Sequence, residues 1–197
     1  MKTKAVASDR PYHHGNLRES LLQAAQDMLA SGGEQRLSLR EVAKACGVSH
    51  AAPYHHFGSL EGLLAAIAER AFDQLTAAMA AGARDREDSG ERLLRICTGY
   101  VSFACAQPAQ FRLMFGPRLA SMKAANPGLK VAGDRAFEVL AQASHAHAPT
   151  QATEMALSAW SLVHGLANLL IDGALQGLPV EVPDTSVLAK LLTQRLL

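Results

Sequence analysis

Between Leu37 and Phe57 the chain reads LSLREVAKACGVSHAAPYHHF, and the apolar positions Leu39, Val42, Ala43 and Cys46 recur at i, i+3, i+4 and i+7. That spacing predicts a helix buried along one face, with Arg40, Glu41 and Lys44 on the other. Ser38 followed three residues later by Glu41 fits a capping box at its start. Gly47 stands where a left-handed residue closes a helix, and Val48 then drops back toward the core. Ser49 is placed to cap a second short helix running from His50 through His56 before Phe57 returns to the core. Counted from that cap, Pro53 is the fourth helical residue and forfeits only the first intrahelical bond. Two short helices joined at a glycine form the unit that sets a helix into the DNA major groove. Such pairs also occur in helical proteins that bind nothing, so the pattern alone leaves a plain helix pair open.

The rest of the chain is patterned for helices, and no convincing strand alternation is found. A helix from Asn16 to Ser31 precedes the pair, and a long one opens at Ser59. Breaks at Gly116-Pro117, Asn126-Pro127-Gly128, Ala148-Pro149 and Gly177 to Pro183 divide the remainder, giving about nine helices in all and an all-α fold. The charged stretch RDREDSGE, residues 84 to 91, is the expected boundary before a helical body. The expected division is a flexible arm over 1–15, a DNA-binding head over 16–58, a connecting helix over 59–88 and a ligand-binding and dimerisation domain over 89–197. In the body, Phe111, Met114 and Phe115 sit at i, i+3 and i+4. Thr150 to Gln176 is apolar almost all round, which predicts burial on two sides. Val187 to Leu197 supplies a final amphipathic helix.

Composition narrows the class. At 197 residues with 49% hydrophobic side chains, the chain has room for one small head and one body, each with a core. The net charge is only +1. Residues 1 to 58 hold seven basic against five acidic groups and five of the eight histidines, which suits a few placed phosphate contacts better than a general coat of positive charge. Cys46, Cys97 and Cys105 fall within apolar helical patterns and read as reduced thiols. MKTKAVASDR has no apolar core of a signal peptide, and Ser158, Ser161, His164 and Asn168 interrupt the most apolar run, so a cytoplasmic protein with no membrane span is expected.

Four groups of residues together resemble the TetR family of bacterial transcription regulators. They are Ser38-Leu39-Arg40-Glu41-Val42-Ala43, Gly47-Val48-Ser49, Pro53-Tyr54-His55-His56-Phe57 and Glu61-Gly62-Leu63-Leu64. The resemblance covers roughly residues 11 to 72. It implies that Arg40 and Tyr54, with His50, His55 and His56, face phosphates or base edges. Leu60 stands where members of that family usually carry Lys, so a phosphate contact there does not carry over. Pro11-Tyr12-His13-His14-Gly15 is either an arm on the adjacent backbone or untethered. Farther on, Trp160, His164 and Gly165 in AWSLVHGLA resemble a subclass of C-terminal domains marked by Trp, His and Gly. The family also implies a homodimer built from its last two long helices.

The chemistry of the residues is consistent with that assignment. Tyr and His donate to phosphate oxygens, and the first residues of a recognition helix reach base edges. His50, Ala51 and His55 are the expected base readers, Ala51 against a thymine methyl, and Ser49 and Pro53 complete the expected DNA-binding set. The alternative for His55 and His56 is a solvated helix end. Phe103, Phe111, Met114, Phe115, Trp160 and His164 are the expected lining of an effector pocket between the fifth to eighth helices, or else plain core. His164 either touches the ligand or is a hydrogen-bonded core histidine. Ser161, Gly165, Asn168 and Asp172 form the expected dimer stripe. The expected partners are thus a double-stranded DNA operator, a small-molecule effector and a second copy of the chain, with no cofactor.

Other classes lack their signatures. His13-His14, His55-His56, His145 and His147 suggest a sensed metal, but adjacent histidines on a helix diverge and no HExxH or Cys/His spacing occurs. No GxSxG and no Gly-rich phosphate loop supports an enzyme. A helical adaptor that kept the head and lost DNA binding stays open.

Overall fold

The computed structural model describes residues 17–84, 88–179, 181 and 183–194. Ten α-helices occur among them: α1 Leu17–Gly32, α2 Leu39–Ala45, α3 Ala51–Phe57, α4 Leu60–Ala83, α5 Ser89–Ala106, α6 Pro108–Phe115, α7 Leu119–Ala125, α8 Pro127–His147, α9 Ala152–Ile171 and α10 Thr185–Thr193. Short 3-10 turns at Glu34–Arg36 and Pro149–Gln151 lead into α2 and α9. The chain is all-helical as expected, with one helix more than about nine. Residues 1–16, which include the expected arm, lie outside the described residues.

The 24-residue α4 organises the molecule. Ser59 caps it, its hydroxyl accepting the Gly62 N–H at 3.1 Å. In its first half Leu63, Leu64 and Ile67 are fully buried in a core shared with Leu21, Leu22, Leu39 and Val42 of the head. In its second half Phe72, Leu75 and Met79 belong to the same continuous core, now packed among α5 and α8. Two close approaches fix this helix. A Cβ at Gly62 would collide with the Phe57 carbonyl, and one at Gly99 of α5 would lie 2.6 Å from the Ala78 carbonyl oxygen. Both glycines are there because backbone occupies the space a side chain would need.

The last long helix differs from expectation. α9 ends at Ile171 rather than near Gln176, because Gly173 adopts φ 68° and its N–H and that of Ala174 turn back to the carbonyls of Leu170 and Leu169. This 6→1 and 5→2 pair terminates a helix however apolar the residues beyond it. α10 begins two residues earlier than expected, with the Asp184 carboxylate accepting the Val187 N–H at 3.1 Å. The stretch Pro149–Ile171 is long and apolar enough to cross a membrane by length and composition. Here it packs against α5, α8 and α10.

Candidate nucleic-acid interface and body cavity

The helix pair is built as its sequence predicts at three of its four ends. The Ser38 hydroxyl accepts the Glu41 N–H at 3.2 Å and so caps α2. Gly47 sits at φ 66°, while Val48 N–H reaches the Ala43 carbonyl and Gly47 N–H the Lys44 carbonyl. This is the same closing motif as at Gly173. At the far end, the Gly58 N–H donates to the Tyr54 carbonyl.

The start of α3 is a correction. His50, already in helical backbone conformation, holds the cap position, and Ser49 contributes its backbone carbonyl to the Ala52 N–H at 3.0 Å rather than its hydroxyl. Pro53 is therefore the third residue of α3, where no intrahelical donor is required, and no bond is forfeited. It is also buried, so its ring is part of the head's packing and does not face outward. The remaining expected contacts all reach the surface: Arg40 on α2, Ser49 and His50 in the turn, and Ala51, Tyr54, His55 and His56 on α3. Tyr54, 56% exposed, is the large apolar side chain that stands out most on this surface. Ala51, Tyr54 and His55 share one face of α3 by their i, i+3, i+4 spacing. Behind them Phe57 is half-buried, with the Arg18 guanidinium of α1 5.4 Å from its ring centre. Leu60, in place of Lys, packs against the core.

A second feature lies in the body. A partly open cavity of about 280 Å³ is lined by α4 through α9. Phe72, Leu75 and Met79 of α4 form one wall, Phe137 and Leu140 of α8 with Trp160 of α9 another, and Tyr100 and Phe115 a third. Lys123 of α7 and Asp134 of α8 border it too. Of the expected pocket residues only Phe115 and Trp160 line this space. Phe111 and His164 stand one layer behind, their rings 5.0 and 4.7 Å from that of Phe115. Met114 is fully buried and Phe103 nearly so, and neither borders the cavity. The bulky run in α6 points mostly inward, and only its last aromatic reaches the opening. The contribution of α4 and the pair Lys123 and Asp134 were missed, because no local pattern marks those positions as facing a cavity.

His164 lies 2.9 Å by Nδ1 from the Tyr100 hydroxyl, and burial pulls its pKa below the ordinary imidazole value. Burial also pushes the Tyr100 phenol up, partly offset by a hydrogen bond with Trp160. Both are neutral partners at pH 7, and Tyr100 carries the link between His164 and the cavity.

On α9 the expected dimer stripe divides. Ser161 and Gly165 are exposed, and a Cβ on Gly165 would meet nothing within 4 Å. Leu157 and Leu169 flank them, 49% and 45% exposed, on the same side. Asn168 instead donates to the His164 carbonyl, and Asp172 pairs with Arg112 of α6 at 2.6 Å. Those two polar groups are already engaged within the subunit. No group of three or more His, Cys, Asp or Glu side chains placed to hold a metal occurs among the described residues.

An exposed helix-turn-helix on an all-helical body with its own cavity defines a DNA-binding regulator of the bacterial helix-turn-helix class. Residues 21–67 match the model of the bacterial regulatory proteins of the tetR family, and residues 93–194 that of the tetracyclin repressor-like C-terminal domain. The chain belongs to the TetR family of DNA-binding regulatory proteins, which are not enzymes. A protein of unknown function from Rhodococcus sp. RHA1 has a similar structure, with TM-score 0.82 and 32% identity over 95% of this chain and 97% of that one. The TetR family transcriptional regulator PfmR from Thermus thermophilus shares the fold, with TM-score 0.62 and 23% identity over 89% and 96% of the two chains. The nucleoid occlusion factor SlmA of Edwardsiella ictaluri (strain 93-146) is 36% identical over 105 residues, 53% of each chain. This chain spans about half the length of the curated relatives it matches.

Proposed function

We propose that this protein is a homodimeric, cytoplasmic repressor that leaves a pseudo-palindromic operator when a small molecule occupies the body cavity. The observation that carries the reading is the double use of α4. Its first half is packed into the head, and its second half forms a wall of the cavity through Phe72, Leu75 and Met79. A ligand that alters the second half biases the position of the first, which is the physical requirement for coupling two sites. Residues 16–58 act as the head, 59–88 as the connection and 89–197 as the ligand-binding and dimerisation domain, the last of the Trp-His-Gly subclass. The exposed α9 stripe around Gly165 is the proposed dimer face. Two recognition helices about 34 Å apart would then read successive major grooves.

Arg40, Tyr54 and His56 serve phosphates in this reading, with Ser49 beside them, and His50, Ala51 and His55 read bases. Selection from random DNA with the full chain tests it. A palindromic motif is expected, with affinity falling steeply as salt rises. Unselective binding, or none, would sink the assignment. The likeness to nucleoid occlusion factors favours a second reading, a role on the nucleoid in place of control of one promoter. Mapping the bound chromosomal sites separates the two, since many dispersed sites favour the second and one or a few promoters the first.

A further inference from the structure

The cavity carries more information than its apolar walls. Lys123 borders it, half-buried, with its ammonium 5.3 Å from the centre of the Phe72 ring. Gly133 makes that position available, since a Cβ there would lie 2.8 Å from the Lys123 Nζ. Among the described residues Lys123 has no ion pair, whereas the neighbouring Asp134 is held by Lys130 at 2.6 Å. The Lys130 hydrogen bond keeps the Asp134 carboxyl below the usual carboxylate range, with a weaker pull from Lys123, so that charge is matched chiefly from outside the cavity. The cavity therefore offers a broad apolar and aromatic lining with one unpaired cation at its edge.

We propose that the cavity takes a small organic acid, an apolar chain or ring bearing one carboxylate, with the carboxylate at Lys123 and the apolar body against Phe72, Phe137 and Trp160. This rests on reading the cavity as the effector site. The size fits, since about 280 Å³ is near the lower end of the roughly 300–1,000 Å³ of ligand pockets. Aromatic walls also suit a lipophilic cation. Here the Lys123 ammonium already stands over the Phe72 ring and would repel one, and the Asp134 carboxylate is committed to Lys130. A neutral ligand would leave the partly desolvated Lys123 charge with only the Phe72 ring and the weaker pull of Asp134 to offset it, a cost that a carboxylate removes.

Trp160 is the chain's sole tryptophan and lines the cavity, so its emission reports occupancy directly. The test titrates the full chain with phenylbutyrate, phenylbutyramide and phenylbutylamine, and with octanoate, its amide and its amine, following Trp160 emission and operator release in parallel. Each carboxylate is expected to bind at least about tenfold more tightly than its amide, and the amines more weakly still. Lys123→Gln should bring the carboxylate-to-amide ratio close to one while amide binding persists. Gly133→Ala, which keeps the charge but displaces the ammonium, should lower the same ratio. Equal binding of acid and amide, preference for the amine, a ratio untouched by Lys123→Gln, or carboxylates without effect on Trp160 would each overturn the proposal. Release of the operator by amides or amines with inert acids would retain the ligand-response reading and discard the acid. Acid binding at Trp160 without operator release would do the reverse.

Discussion

Single residues of the head divide by exposure into those free to meet a partner and those that hold the helix pair. Tyr54→Phe removes one exposed hydroxyl and should weaken binding to every sequence by about 1 kcal/mol, roughly fivefold, with folding unchanged. His50→Ala should instead change which bases are preferred, and selection from random DNA with both variants separates the two effects. If wild type and His50→Ala return the same motif, His50 does not read a base. The exposed set is legible because a 3.6-residue period assigns faces without any tertiary information. Pro53 lies inward by the same period, about 100° round α3 from Tyr54 and about 200° from Ala51, on the side packed into the head. In the body, His164 gives the pH dependence. Its folded pKa is depressed by burial, so its contribution to stability is complete above the unfolded imidazole value of about 6.5 and is lost as pH falls below it. Denaturant unfolding between pH 5 and pH 8 should show this loss in the wild type and less of it in His164→Ala. That variant should also cost about 1–3 kcal/mol at pH 7, because the buried Tyr100 phenol loses one of its two partners, Trp160 remaining.

At the scale of helices, sequence signals locate most starts and ends because caps and left-handed glycines are local. The end of α9 escapes them since its apolar run continues past Gly173, and the backbone turn at that glycine overrides hydrophobicity. Helix partners are less legible than helices. That α4 meets both head and cavity depends on packing over the length of the molecule, and no window of sequence contains it. Gly165→Leu tests the α9 face. Within one subunit a Cβ at this exposed position meets nothing within 4 Å, so unfolding of the isolated subunit should hold or gain slightly from better helix propensity. Overpacking at the subunit contact should cost about 1–3 kcal/mol of dimer stability. Sedimentation showing the wild-type dimerisation constant would remove Gly165 from the interface. Gly99→Ala tests the opposite case. Its methyl would meet the Ala78 backbone at 2.6 Å, which forces α4 and α5 apart and should lower thermal stability by about 1–3 kcal/mol whatever the dimer does.

For the molecule as a whole, the class of fold and the DNA-binding role are readable from composition and from one motif with its neighbours. The cavity is not, because its lining is drawn from six helices, and Lys123, without an ion pair among the described residues, lies on a seven-residue helix with no distinguishing pattern. A ligand that releases the operator should perturb Trp160 emission at the same concentration, and stopped-flow traces of the two signals should show occupancy leading release. Release completed before any change at Trp160 would place the effector elsewhere. The close approach of Gly99 to Ala78 bears on how far such a signal travels. With backbone against backbone, that contact is a close support for α4, while the Gly62 contact holds the end of the recognition helix against its other end. From Ala78 to Leu60 is about 27 Å of helix. Under the proposed ligand response the pair would act as a lever on a fulcrum: a tilt of about 5° would swing the recognition helix by about 2.4 Å. Mirrored in a second subunit, that is close to about 5 Å of travel against a span of about 34 Å. An occupant of the cavity that pushed on Phe72, about 9 Å from the fulcrum on the same side as the head, would see its displacement magnified about threefold at Leu60, enough to take both heads out of step with the groove.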